Sequence, residues 1–234
     1  TNPRLFDSQV SGSIDLYDGE LEFDDYTRDT TGSTLRLGHP LIEEWRIYYG
    51  YTISDTELTD IGPNASTVIL QSKDINLTSA TDVALVRDTR DKICSPTSGS
   101  RNSLSVEYAG GPLGGDAEYT KLEGSTSWYF SLFWSTVFHV RGSAGKAFEN
   151  ENNKLPVYEH FYLGGMNSIR GFDSASISPV DPLTGDKIGG DKMWFANIEY
   201  IFPLIKDMGM DGLIFHDLGN VYDVDEDWDF GDYK

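Results

Sequence analysis

The chain has 234 residues, a length that suits one large domain or two small ones. It carries 38 acidic and 18 basic side chains, and this net charge of −20 argues against a nucleic-acid partner, because phosphate binding requires a basic surface. A single cysteine, Cys94, excludes an internal disulfide framework. The segment at Thr1 does not resemble a signal peptide, so we expect a mature chain or a part of a longer one.

Aromatic residues and glycine are abundant, with 13 Tyr, 12 Phe, 5 Trp and 24 Gly. This composition favours β-structure, in which aromatic residues pack well and glycine serves turns and bulges. No segment approaches the roughly 20 uninterrupted apolar residues of a spanning helix. Even the most apolar one, 128–142, contains serines, a threonine and a histidine. Composition therefore leaves a soluble β-protein and a membrane β-barrel both open.

Apolar and polar residues alternate with a period of two along the chain, which is typical of strands with one apolar face. In one such segment Tyr49, Tyr51 and Ile53 share a face, and Gly50 and Thr52 lie on the other. The strands predicted in chain order are 9–17, 31–38, 44–53, about 66–73 or 78–88, 101–109, 118–130, 133–145, 193–202 and 212–222. No segment has a convincing helical period. We therefore predict an all-β chain of about nine antiparallel strands.

The predicted connections alternate between short and long. Short ones are expected at 39–43, 131–132 and 203–211, and long polar ones at 18–30, 54–77 and 146–192. Short turns at one end and long loops at the other are typical of outer-membrane barrels. Strands of about 9 to 11 residues also match a tilted span of the bilayer. A soluble sandwich would show the same alternation, but aromatic residues near the strand ends favour the barrel.

Three segments, in this order along the chain, are similar to motifs of a known family. They are RDTRDKICSPTSGSR (87–101), YEHFYLGGMNSIRGF (158–172) and FHDLGNVYD (215–223). The second is followed by a strand that contains NIEYIFP (197–203). In this order the chain resembles the BamA-like family of outer-membrane barrel assembly proteins and secretion pores. The tripeptide RGF alone would be weak, but the ordered set covers nearly the whole chain and is specific.

The resemblance implies that residues 1–234 are the central part of an antiparallel transmembrane β-barrel domain with sixteen strands in all. The chain would supply about the fifth to thirteenth strands, with a long loop at about 146–192 that folds inward. The POTRA domains and the terminal barrel strands have no counterpart in this sequence. Because an open sheet in lipid leaves backbone groups unpaired, we expect the chain to be a fragment of a larger barrel.

The resemblance also implies a site on the inward loop. Its motif residues are Gly164, Gly165, Ile169, Arg170, Gly171 and Phe172. In the family the motif arginine meets acidic groups on the barrel wall, and Glu199 and Asp217 occupy the matching positions. Alternation agrees for Glu199 and is less decisive for Asp217, whose face includes Phe215. We expect the glycines to let the loop turn sharply and Phe172 to pack beside the wall. The alternative is a solvated arginine in an ordinary turn.

No enzymatic site or cofactor is predicted. The histidines His39, His139, His160 and His216 occur singly, and neither a G-x-S-x-G elbow nor a phosphate loop is present. An outer-membrane phospholipase would require a paired serine and histidine on the barrel exterior, for which we find no signature. Asp223, Asp225 and Asp227 have the spacing of calcium ligands, but Trp228 stands where an EF-hand requires glycine. They are a weak metal candidate, and 18–29 and 223–232 are better interpreted as solvated extracellular loops.

The resemblance implies that the protein inserts and folds β-barrel proteins in the bacterial outer membrane, without covalent chemistry. The implied partners are outer-membrane lipids and lipopolysaccharide, unfolded outer-membrane protein clients and accessory lipoproteins. A related two-partner-secretion or translocation pore of the same superfamily is the alternative. An ordinary porin is a second alternative, although a porin should lack the arginine-loop motif.

Overall fold

The computed structural model describes residues 9–23, 25–205 and 208–234. The segment at Thr1 and parts of the predicted connections 18–30 and 203–211 lie outside the described residues. The strands are β1 (Ser11–Glu22), β2 (Thr27–Ile42), β3 (Trp45–Thr59), β4 (Leu77–Asp88), β5 (Gly99–Ala109), β6 (Tyr119–Ser131), β7 (Val137–Glu149), β8 (Lys192–Ile205) and β9 (Met210–Tyr222). One α-helix, α1 (Thr67–Ser72), precedes β4. No described helix is both long and apolar enough to span a bilayer.

The nine described strands form a single antiparallel sheet in which each strand pairs with the next, from β1 to β9. This confirms the predicted all-β fold. The register runs without interruption from Thr27↔Thr59 to Pro40↔Arg46 between β2 and β3. Because successive side chains of a strand point to opposite faces, such pairing divides the residues of the whole sheet into two faces.

The structure decides between the two candidates for the fourth strand and moves the start of the seventh. Of the two candidates for the fourth strand, 78–88 matches β4, whereas 66–73 is helix α1, whose first turn is capped by Ser66 Oγ accepting from the Ile69 N–H at 3.3 Å. β7 begins at Val137 instead of 133, because the preceding Phe133–Ser135 form a tight turn in which Trp134 and Ser135 have positive φ angles.

The acidic segment 18–29 is mainly strand and not the long loop that was predicted. β1 continues to Glu22 and β2 begins at Thr27, so few residues connect them. The ladder between the two strands satisfies the backbone groups there, and Asp18 Oδ1 also accepts a hydrogen bond of 2.9 Å from Thr31 Oγ1. Hydrogen bonding between the two strands therefore outweighs the preference of aspartate and glycine for turns in this segment.

The two faces of the sheet differ in polarity. One face, here called the outer face, carries exposed apolar side chains along most strands, among them Leu35, Leu37, Tyr49, Tyr51, Ile53, Val83, Leu104, Val106, Leu122, Ile198 and Ile214. The predicted grouping of Tyr49, Tyr51 and Ile53 on one face is thus confirmed. A wide apolar surface of this kind is expected where lipid replaces water as the solvent.

The main core lies between the opposite, inner face of the sheet and residues 150–191, which connect β7 to β8 and are here called the inward loop. Its buried members from the inward loop are Leu155, Phe161, Leu163, Ile169 and Ile177, and those from the strands include Tyr119, Ala147, Met193 and Phe195. A second cluster joins Tyr26, Leu58, Ile69 and Val157 at the end of the sheet that carries the long connections. The inward loop is therefore packed against the sheet as part of the core.

Candidate functional site

The motif segment of the inward loop is a compact turn closed by its own hydrogen bonds. Gly164, Gly165 and Gly171 have φ angles of 109°, 88° and 88°, which glycine adopts readily. The Gly165 N–H donates to the Phe172 carbonyl at 2.9 Å, and the Gly164 N–H donates to Ser168 Oγ at 2.9 Å. These bonds join the two ends of the turn and hold the residues between them, including Arg170.

The two apolar residues of the motif, Ile169 and Phe172, differ in their burial. Ile169 is fully buried in the core between the inward loop and the sheet, which fixes the position of the adjacent Arg170. Phe172 was expected to pack beside the wall, but its side chain is 43% exposed. Its carbonyl, which accepts from Gly165, is the part of Phe172 that shapes the turn.

Arg170 reaches two acidic side chains on neighbouring strands. Its Nε and Nη2 donate to Oδ2 and Oδ1 of Asp217 on β9, at 2.7 and 2.6 Å. Its Nη1 lies 2.6 Å from Oε1 of Glu199 on β8. The planar guanidinium can serve two carboxylates at once in this way, which an ammonium group cannot do with the same geometry. Arg170, Glu199 and Asp217 are here called the arginine clamp.

The arginine clamp is largely shielded from water. The side chains of Arg170, Glu199 and Asp217 are 19%, 16% and 3% exposed. The hydrogen bond with Asp217 raises the pKa of Arg170 above its ordinary value, partial burial opposes this, and Glu199 adds to the increase. The guanidinium also lies 3.9 Å from the centre of the Phe215 ring, a cation–π contact. The structure thus places Arg170 in a charged, folded site and not in solvent.

Hydrogen bonds extend the arginine clamp across β7 to β6. His139 Nδ1 lies 2.7 Å from Glu199 Oε2, and His139 Nε2 lies 2.8 Å from Ser127 Oγ. The imidazole also stacks on Tyr129, with the ring centres 4.2 Å apart. In the sheet register His139 stands opposite both Glu199 and Tyr129. Glu199 is therefore oriented by a histidine from one side and by Arg170 from the other.

Asn197 connects the clamp to the backbone of the inward loop. Its Nδ2 donates to Asp217 Oδ1 at 2.9 Å and to the Ser168 carbonyl at 2.6 Å. Asn197 and Asp217 are register partners on β8 and β9. The arrangement as a whole fixes the position of the inward loop through hydrogen bonds and charge.

The sequence did not single out His139, Ser127 or Asn197 as members of this site. His139 was noted only as an isolated histidine, although it lies between the apolar residues Phe138 and Val140, an alternation that favours the polar face for His139. Asn197 precedes Glu199 by one period of the same alternation and so shares its face. Phe215 was noted as a reason for doubt about Asp217, and in the structure it lies under the guanidinium of Arg170.

The aspartates of the acidic segment after β9 do not assemble into a metal site. Among the described residues, no group of three or more His, Cys, Asp and Glu side chains could hold a metal ion. Asp223 Oδ1 accepts a hydrogen bond of 2.7 Å from the Val224 N–H, and Asp225 and Asp227 are exposed. The calcium-ligand spacing of these aspartates is therefore not accompanied by the geometry of a site.

Comparison with known proteins identifies the family. Residues 1–234 match the Omp85 superfamily domain. The outer membrane protein assembly factor BamA of Nitratidesulfovibrio vulgaris is 38% identical over 232 residues, which are 99% of this chain and 29% of that protein. The sorting and assembly machinery component 50 homolog A of Xenopus laevis is 26% identical over 86% of this chain and 43% of that protein. The chain therefore spans less than half the length of these relatives.

A solved structure shows the same fold. The crystal structure of BamA from Haemophilus ducreyi lacking POTRA domains 1-3 superposes with a TM-score of 0.80 and 21% identity, over 95% of this chain and 48% of that one. The predicted resemblance to BamA-like proteins, made from three short segments, is confirmed. The match of residues 1–234 to the family model, together with the 38% identity to a BamA, shows that the chain belongs to the Omp85 superfamily.

Proposed function

We propose that this chain is the central wall of a bacterial outer-membrane barrel that inserts and folds other β-barrel proteins, and that the arginine clamp holds the inward loop in its working position. The observation that carries the proposal is the joining of one loop arginine to acidic residues of two strands, Glu199 and Asp217. The name of the relative that is 38% identical favours assembly over a secretion pore or an ordinary porin.

In this proposal residues 1–234 supply about the fifth to thirteenth strands of a sixteen-stranded barrel. The POTRA domains and the terminal strands would belong to the longer protein. The superposition on 48% of a BamA chain supports this arrangement. A physical argument also supports it, because the outermost backbone groups of β1 and β9 would each cost several kcal/mol if they stayed unpaired in lipid.

The proposed activity requires positioning and no covalent chemistry or cofactor. The apolar outer face, with side chains such as Leu35, Val106 and Ile198, would contact outer-membrane lipids and lipopolysaccharide. Unfolded outer-membrane proteins would be the clients, with accessory lipoproteins as further partners and no nucleic acid. A loop fixed on the inner face keeps the barrel interior filled, so that a client is directed to the wall and the surrounding lipid.

The proposal is tested by replacing Arg170 in the full-length protein. We expect Arg170→Ala to lower the amount of folded client barrels in the outer membrane and to expose residues 160–175 to protease. Arg170→Lys should restore the function only in part, because lysine keeps the charge and loses the planar fork. Arg46→Ala, which removes an exposed arginine of β3, is the matched control and should change neither measurement. Unchanged client levels and unchanged protection in Arg170→Ala would contradict the proposal.

A further inference from the structure

The inward loop has a second ionic contact with the sheet, earlier in the loop than Arg170. Lys121 Nζ on β6 lies 2.6 Å from Oε2 of Glu159, which ends the short 3₁₀ turn Val157–Glu159. The two side chains are 13% and 25% exposed. This contact joins the first half of the loop to β6, whereas Arg170 joins the middle of the loop to β8 and β9.

Aromatic rings from both the sheet and the loop enclose the ammonium group of Lys121. Its Nζ lies 5.5 Å from the ring centre of Tyr119 on β6 and 5.5 Å from that of Phe161 in the inward loop. Both rings are buried. Contacts of this kind are attractive for a cation, and they strengthen when water is excluded. The ammonium group is therefore held at the boundary between β6 and the loop.

The neighbouring carboxylates direct Lys121 towards the loop. Glu107 stands opposite Lys121 in the register of β5 and β6, but its Oε1 accepts a hydrogen bond of 2.7 Å from the Tyr119 hydroxyl. Glu123 shares the strand and the face of Lys121. One ammonium thus serves a group of three carboxylates, Glu107, Glu123 and Glu159, and its short contact is with the one on the loop.

Removal of Lys121 would leave Glu159 beside other carboxylates in a place with little water. Like charges at short range repel, and an unpaired charge that is mostly buried is costly. The turn that carries Glu159 is also bound to the connection before β4, since the Val157 N–H donates to Ser72 Oγ at 2.8 Å. That bond joins the turn to helix α1, and the ion pair with Lys121 joins the same turn to β6.

We propose that Lys121 is a positioning residue that fixes the first half of the inward loop on β6. The ion pairs of Lys121 and Arg170 then hold the loop at two points, and Arg170 contacts its partners from a segment that is already in place. Anchoring one point shortens the free chain, and a shorter chain loses less entropy when the second contact forms. This inference rests on the proposed function, in which the inward loop must be held against the inner face.

The test is hydrogen exchange in the full-length protein, with the inward loop divided into 154–163 and 164–172. We expect Lys121→Met to speed exchange in 154–163 by about tenfold or more, with a smaller change in 164–172. Arg170→Ala should give the reverse pattern. Glu159→Gln should have a milder effect than Lys121→Met, because Lys121 keeps Glu107 and Glu123 beside it while the glutamine oxygen can still accept a hydrogen bond.

The conservative variant separates charge from shape. Lys121→Arg keeps the charge and should leave exchange in 154–163 close to that of the wild type. Two results would overturn the proposal, namely unchanged exchange in Lys121→Met and equal loosening in Lys121→Arg and Lys121→Met. Hydrogen exchange measures the inward loop directly and does not depend on client assembly. Faster exchange in Lys121→Met would therefore support the role of Lys121 even if Arg170→Ala left client assembly normal. Normal client assembly in Arg170→Ala would refute only the proposed function.

Discussion

Asp217 accepts three hydrogen bonds from Arg170, two from the guanidinium and one from the backbone N–H. The pair of side-chain bonds fixes the plane of the guanidinium, and the backbone bond fixes the inward loop independently of the side chain. Glu199 accepts from the side chain only and shares its other oxygen with His139. The two acidic partners of Arg170 are therefore not equivalent, and Asp217 is the stronger anchor.

This difference predicts unequal effects of removing each charge. Asp217→Asn replaces one carboxylate oxygen with an N–H₂ group and leaves an uncharged, weaker acceptor at the other, facing the donors of Arg170. Because this position is almost fully buried, we expect the variant to weaken loop anchoring by about 3 to 5 kcal/mol. Glu199→Gln keeps an acceptor for Arg170 and should cost about 1 to 2 kcal/mol. Hydrogen exchange of residues 164–172 in the full-length protein measures both values, and equal losses would contradict the assignment.

His139 should contribute to the clamp through Glu199. His139→Phe keeps a ring that can stack on Tyr129 and removes the hydrogen bonds to Glu199 and Ser127, so we expect loop anchoring to weaken by about 1 to 2 kcal/mol. His216→Phe is the matched control, because His216 is exposed on the opposite face of β9. Protease sensitivity of residues 160–175 should increase in the first variant and stay constant in the second. The same response from both would mean that His139 does not act through Glu199.

The two ends of the motif turn should differ in their tolerance of a side chain. Gly164→Ala and Gly171→Ala both place a Cβ at a positive φ, which costs about 1 to 2 kcal/mol. At Gly164 the new atom would also clash with the backbone carbonyl oxygen of Asp173, whereas at Gly171 it would enter open space. We expect Gly164→Ala to cause the larger loss of protease protection at 160–175. If Gly171→Ala is the more damaging, the turn is not limited by space at Gly164.

The turn between β4 and β5 should depend on pH through Asp91. Its carboxylate accepts from the Thr97 hydroxyl at 2.7 Å, the Thr97 N–H at 2.8 Å and the Ser98 N–H at 3.1 Å. These hydrogen bonds, that of the Thr97 side chain first, hold the pKa of Asp91 well below its ordinary value. A lowered folded pKa means that the stabilisation is complete above the unfolded pKa of about 4 and is lost as the pH falls towards the folded value.

We therefore expect the amides of Thr97 and Ser98 to lose protection from hydrogen exchange as the pH falls below about 4, after correction for the intrinsic rate. The variant Asp91→Asn serves as the control, because an amide does not titrate and its protection should not vary over this range. A pH dependence that persists in Asp91→Asn would assign the effect to another group.

Much of the sheet could be predicted from alternation. A strand between an apolar and a polar environment alternates apolar and polar residues within its own sequence, so that each strand can be recognised by itself. The predictions 101–109 and 118–130 differ from β5 (Gly99–Ala109) and β6 (Tyr119–Ser131) by at most two residues at either end. Helix α1 was missed because six residues are too few to show a helical period. Its only local signal is the capping serine, Ser66.

The sequence by itself determined that the chain is a β-sheet with an arginine on a glycine-bounded turn, and the order of its motifs indicated Glu199 and Asp217 as partners. Only the tertiary structure decided that His139 faces Glu199 and that Lys121 pairs with Glu159 of the inward loop. The reason is physical: a shift of strand register by two residues leaves the alternation unchanged but replaces every cross-strand neighbour. Contacts between a strand and a distant loop depend further on the folded path of that loop, which no local pattern encodes.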